Sequence, residues 1–214
     1  LTRLNKPIGY MLLFWPCSWG LTIALYKVGD FNLFATHAVL FFLGSVLMRS
    51  AGCIVNDIVD QNLDKKVKRT KTRPLAAGKI SNLIAFTYVV LLCLIAFIIL
   101  LQFNFLTITL GIGSMILAFA YPFMKRITYW PQLFLGLTFN WGIIMGWTSI
   151  TNTLSFEPTI LYIAAIFWTL GYDTIYGLQD MRDDEIIGVK STSIKFKDDV
   201  KFFVGFCYSL FIFF

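Results

Sequence analysis

Charge is what this sequence has least of. Only 14% of its 214 residues are Asp, Glu, Lys or Arg, where a soluble domain carries about 25%. No charged residue lies between Lys79 and Lys125, and none between Arg126 and Glu157. A helix needs about 20 apolar residues to cross a bilayer. The first gap has room for two such helices and a turn, and the second for one. This excludes an ordinary soluble domain and implies an all-α, polytopic transmembrane bundle. Histidine is down to one residue, His37, which has no ligand-type neighbour in sequence and builds no metal site alone. The four cysteines, Cys17, Cys53, Cys93 and Cys207, form no CxxC pair and sit in apolar stretches, as small buried residues do. No A-x-A-like site follows the first apolar segment, so no cleavable signal peptide is expected.

What is there is hydrophobic, 57% of the chain. Apolar segments are expected at 7–26, 33–55, 82–101, 105–123, 131–150 and 159–178, and a seventh runs from Phe202 to Phe214. The chain starts at Leu1 and stops inside that seventh segment. Residues 1–214 are read as a single transmembrane domain, expected to be cut short at its C-terminus. The formal charge of +6 implies no nucleic-acid partner, because the cations lie in loops between apolar segments. Arg3 and Lys6, the cluster from Lys65 to Lys79, the pair Lys125 and Arg126, and the run from Arg182 to Lys201 all fall on one side if each segment spans. The other side has Lys27, Asp30 and Glu157. Positive loops stay inside, which puts the polar loops in the cytoplasm or the mitochondrial matrix.

Carboxylates collect on that same side. Asn56, Asp60 and Asp64 are spaced i, i+4, i+8, a single stripe on a helix that also takes in Arg49 and Cys53. Asp173, Tyr176, Asp180 and Asp184 are likewise expected on one helix face. Both sets end an even-numbered segment. Carboxylates at helix C-termini are disfavoured by about 0.3–1 kcal/mol each, and ionisable groups at membrane depth by about 2.5–3.5 kcal/mol. Two aligned sets therefore favour a divalent-metal site over a solvated face. All-oxygen ligands, few carboxylates per ion and a phosphate-bearing substrate suit Mg²⁺. Lys65, Arg69, Arg73, Lys125, Arg126 and Lys190 are then candidates to neutralise a departing diphosphate. Asp57 and Asp183 fall off the two stripes, and their loss is expected to matter less. A transporter using the acids as an ion path is the rival from another class, disfavoured because the acids gather at one boundary.

The stretches "NDIVDQNLD" and "YDTIYGLQDMRDDEIIGVKST" resemble the two Asp-rich motifs of the UbiA superfamily of intramembrane prenyltransferases. "LNKPIGYMLLFWP", "MRSAGCIVND", "KRTKTRPLAAGKI" and "YPFMKR" extend the resemblance over essentially the whole chain, closest to the 4-hydroxybenzoate polyprenyltransferase branch. It implies a fold of nine transmembrane helices around a cavity, of which about seven would be present here. It implies transfer of a polyprenyl group from polyprenyl diphosphate to the ring carbon beside the hydroxyl of 4-hydroxybenzoate, with Mg²⁺, in ubiquinone synthesis. Other acceptors, haem or a naphthoate, are the nearer alternative. By motif match Asn56, Asp60 and Asp64 form one metal–diphosphate set and Asp173, Asp180 and Asp184 the other. Asp60, Asp64, Asp180, Asp184 and Arg126 would act on the leaving group. Arg49, the one basic residue inside an apolar segment, is expected to bind the acceptor carboxylate, with Asp173 and Tyr176 nearby. The bilayer is the remaining partner, and no protein partner is deduced.

Overall fold

A computed structural model of the chain describes residues 1–65 and 70–214, apart from the Asp183 side chain. Its helices run α1 Ile8–Val28, α2 Phe31–Val59, α3 Gln61–Asp64, α4 Asn82–Leu100, α5 Phe105–Ile127, α6 Pro131–Thr151, α7 Phe156–Gly177, α8 Met181–Ile187, α9 Thr192–Lys195 and α10 Val200–Phe213. There is no strand among the described residues. Each expected apolar segment is a helix. Two of them run about a turn further than their apolar residues. Asn56, Asp57, Lys125 and Arg126 are helical although they are polar, because a helix ends where its backbone turns and not where hydropathy falls.

Five helices, α1, α2, α4, α5 and α6, are long and apolar enough to cross a membrane. The 22-residue α7 is long enough, but its last turns carry Tyr172, Asp173 and Tyr176, and it is not among the five. The chain is an integral membrane protein. Large apolar side chains on α4, including Phe86, Leu91, Leu94 and Ile98, face outward, as they do when lipid is the solvent.

Local signals explain the joints. Asp30 caps α2 by accepting from the Leu33 backbone N–H, Ser81 does the same for α4, and Asn104 caps α5. The Asn104 amide also donates to the carbonyls of Thr148 and Ser149, tying the start of α5 to the end of α6. There His37 and Ser149 share a hydrogen bond of 3.2 Å, and no cysteine is in a disulfide.

α6 is the central post. It packs against α1, α5 and α7; α1 leads on to α2 and α4, and α7 to α10. The α1–α6 contact is the most extensive among the described helices. Its residues are small. A Cβ on Gly20 would run into the Ile143 carbonyl oxygen, one on Gly146 into that of Cys17, and one on Gly142 would stand 2.6 Å from Cys17 Sγ. Gly142 and Gly146 are the two ends of a G-x-x-x-G motif, which lets helix backbones touch in lipid. Gly146→Val is expected to lower the thermal unfolding midpoint in detergent more than Gly113→Val, whose Cβ meets open space. Overpacking of this kind costs about 1–3 kcal/mol.

Candidate active site

The first acidic cluster closes α2. The helix ends at Val59, and Asp60 caps it with its backbone N–H on Asn56 O at 2.9 Å. Asp64, in α3, donates its N–H to Asp60 O at 2.8 Å. The expected single stripe is therefore two helical runs joined at Asp60, with the four-residue hydrogen-bond step kept across the joint. Asp60 and Asp64 are buried, and Asn56 is half-buried.

Each buried carboxylate meets cations. Asp60 takes Lys125 Nζ on one oxygen and Arg126 Nη2 on the other, the latter at 3.2 Å. Arg126 also donates to Val59 O at 2.7 Å. Arg73 Nη1 lies 2.8 Å from Asp64 Oδ2 and 3.2 Å from Asp57 Oδ1. Arg3 pairs with the same Asp57 oxygen. Asp57, which falls off the stripe, is only 2% exposed and pairs with two arginines. Its position off the stripe turns it inward, toward cations supplied from outside α2. Gln61 donates to Leu75 O and Thr70 to Asp64 O, which folds the Arg73 loop back over the cluster. Lys65 is exposed, and Arg69 lies outside the described residues.

The second acidic motif does not occupy one helix face. α7 ends at Gly177; Asp173 and Tyr176 belong to it, while Asp180 caps α8 and Asp184 lies within α8. The break follows from docking of α9. Thr192 bonds Thr174 side chain to side chain, Ser193 donates to Thr174 O, and the Thr192 N–H donates to Gln132 Oε1 on α6. Asp173, Asp180 and Asp184 are half-buried, whereas Tyr176 is 58% exposed. The Lys190 N–H reaches Lys125 O at 2.8 Å and its ammonium Ile127 O at 3.2 Å, fastening the segment after α8 to the end of α5. The ends of α2, α5 and α7 thus share one end of the bundle.

Deeper, α2, α5 and α7 bring charged groups within reach of two tyrosines. Tyr121 on α5 lies within electrostatic reach of Asp173, Arg49 and Asp60. Tyr172 on α7 lies within reach of Asp173, Tyr121 and Arg49. The half-buried Arg49 guanidinium is 5.7 Å from the Phe139 ring centre, a cation–π distance. Phe139 and Tyr172 also line a small pocket between α1, α6 and α7 with Trp15, Trp19 and Trp168. One signal for Tyr121 was present: it stands four residues before Lys125, one helical turn deeper on the same face.

The donor set suits a hard cation by chemistry, since the motifs offer carboxylate and amide oxygen. Among the described residues no three His, Cys, Asp or Glu side chains converge on one point.

The UbiA prenyltransferase family matches residues 13–214. The chain belongs to that family. The human protein named 4-hydroxybenzoate polyprenyltransferase, mitochondrial, is 48% identical over 204 residues, covering 94% of this chain and 54% of that protein. The chain spans about half the length of the curated relatives it matches. The UbiA fold extends to archaeal structures. An apo UbiA homologue from Aeropyrum pernix K1 has a TM-score of 0.81 at 23% identity, covering 99% of this chain and 78% of that one. A UbiA homologue from Archaeoglobus fulgidus bound to DMAPP and Mg²⁺ has a TM-score of 0.67 at 20% identity, covering 94% and 73%.

Proposed function

We propose that this chain carries the acidic-motif portion of a 4-hydroxybenzoate polyprenyltransferase of ubiquinone synthesis. The observation that carries the reading is the meeting of Lys125 and Arg126, from the end of α5, with the buried Asp60 of the first acidic motif, while the segment after the second motif is fastened to the same helix end through the Lys190 N–H on Lys125 O. The name of the human relative supports the acceptor.

In this reading the allylic C–O bond breaks, its electron pair leaves with the diphosphate, and the ring carbon ortho to the phenol oxygen bonds to the allylic carbon. The ring proton then leaves to a base. Asn56, Asp60 and Asp64 on one side, and Asp173, Asp180 and Asp184 on the other, would hold Mg²⁺. When bound, that ion neutralises diphosphate oxygens as the leaving group departs. Arg73, Lys125 and Arg126 already stand at Asp60 and Asp64 and would turn to the same oxygens; Lys65, Arg69 and Lys190 are the further candidates for that role. Arg49 binds the acceptor carboxylate, and Tyr121 and Tyr172 are better placed than Tyr176 to flank the ring. The aromatic walls keep water from the allylic cation. The acidic end faces the cytoplasm or the mitochondrial matrix.

The test uses membranes carrying the chain, ring-labelled 4-hydroxybenzoate and polyprenyl diphosphates of several lengths. Labelled lipid product that disappears with a chelator is the expected result. Ion flux in liposomes with no labelled product would overturn the reading in favour of a transporter. Arg126→Ala is expected to slow transfer about tenfold, the loss of one charge-assisted contact. Protease accessibility of the loops should stay unchanged, and altered accessibility at an unchanged rate would make Arg126 a membrane anchor instead.

A further inference from the structure

Leu1 and Arg3 lie against the acidic end of the bundle. Leu1 packs onto the apolar patch of Ala51, Ile54 and Leu75, and Leu75 stands two residues past Arg73. The Lys6 N–H closes a turn on Arg3 O at 2.9 Å. Arg3 has a left-handed backbone, φ 54°, uncommon for a residue with a side chain. Its guanidinium reaches across to the buried Asp57. Arg3, Asp57, Arg73 and Asp64 form a chain of alternating charge in which Arg73 is shared by two carboxylates.

We propose that Arg3 is a positioning residue, which satisfies Asp57 so that Arg73 stays on Asp64, at the leaving-group end of the site. The physical reason is competition. Asp57 is almost wholly buried, and a buried carboxylate left short of counter-charge draws in whatever cation can reach it. With Arg3 in place, Asp57 needs only part of Arg73, and the closer contact of Arg73 is to Asp64, 2.8 Å against 3.2 Å. Without Arg3, Arg73 is the remaining described cation in contact with Asp57 and shifts toward it. The role of Arg73 in holding a diphosphate rests on the function proposed above; the coupling of Arg3 to Asp64 does not.

Two measurements on the detergent-purified chain separate these. The first is a double-mutant cycle in thermal unfolding on Arg3→Ala and Asp64→Asn, which the paired Asp57 and Arg73 connect. Non-additive shifts in unfolding midpoint are expected; additive shifts would overturn the proposal. The second is binding of inorganic pyrophosphate at saturating Mg²⁺. Arg3→Ala is expected to weaken it about tenfold, as loss of one charge-assisted contact would. Arg3→Lys should recover most of the affinity. The double variant Arg3→Ala/Asp57→Asn should also recover it, because a neutral amide at position 57 no longer competes for Arg73. If the double variant binds as weakly as Arg3→Ala, the strap merely supports the fold and the proposal fails. A wild-type chain that binds no pyrophosphate but shows the non-additive unfolding would sink the leaving-group reading and leave the Arg3 coupling standing.

Discussion

Asp60→Asn should lose prenyl transfer by about 10²–10³-fold, the scale for removing one preorganised electrostatic contact to developing charge, while the protein still accumulates in the membrane. Two effects of the substitution compete. Breaking a fully buried ion pair costs about 3–5 kcal/mol, enough to unfold many proteins. Here only the carboxylate is buried; Lys125 and Arg126 keep side-chain exposures of 28% and 42% and can turn to water. The stability loss therefore falls toward the exposed-pair range, about 1 kcal/mol or less, and activity takes the main damage. The measurement is turnover per folded protein, normalised by fluorescence-detected size exclusion. Near-normal turnover at saturating Mg²⁺ would remove Asp60 from the site.

Arg49→Ala should raise KM for 4-hydroxybenzoate about 10–100-fold and leave KM for the prenyl diphosphate nearly unchanged. A charge-assisted hydrogen bond contributes about 1.5–3 kcal/mol, and each 1.4 kcal/mol is about tenfold. The selectivity comes from depth. Arg49 lies on α2 two helical turns before Asn56, beside Phe139 and within reach of Tyr121 and Tyr172, while Arg73, Lys125 and Arg126 hold the mouth. Equal damage to both KM values would make Arg49 a structural cation and not an acceptor ligand.

What the sequence makes legible follows from membrane physics. Arg49 stood out because a lone guanidinium inside an apolar run needs a reason, and membrane physics makes that legible from composition. The seven helices were legible on the same ground. The burial and pairing of Asp57 are not legible, because its partners, Arg3 and Arg73, sit 54 and 16 residues away, and no periodicity encodes a contact of that kind. The second motif was drawn as one helix because i, i+3, i+4 spacing continues smoothly through Gly177. The chain turns there instead, and the hydrogen bonds of Thr174 and Gln132 to α9, which no spacing encodes, hold the segment that follows. Tyr121 and Tyr172 were hidden among many aromatic residues. What distinguishes them is the charges around them, a property of three helices together.

The glycine crossing of α1 and α6 has a consequence for how the protein is made. α1 meets its most extensively packed partner, α6, only after α2, α4 and α5 have been synthesised. During that interval the backbone groove at Gly20 faces lipid tails, which bury it without any directional preference. The early hairpin with α2 is the neighbour at hand to hold α1 close to the point of insertion. The α1–α6 closure is therefore non-local: the Gly142–Gly146 face of α6 can seat only against a helix made well before it.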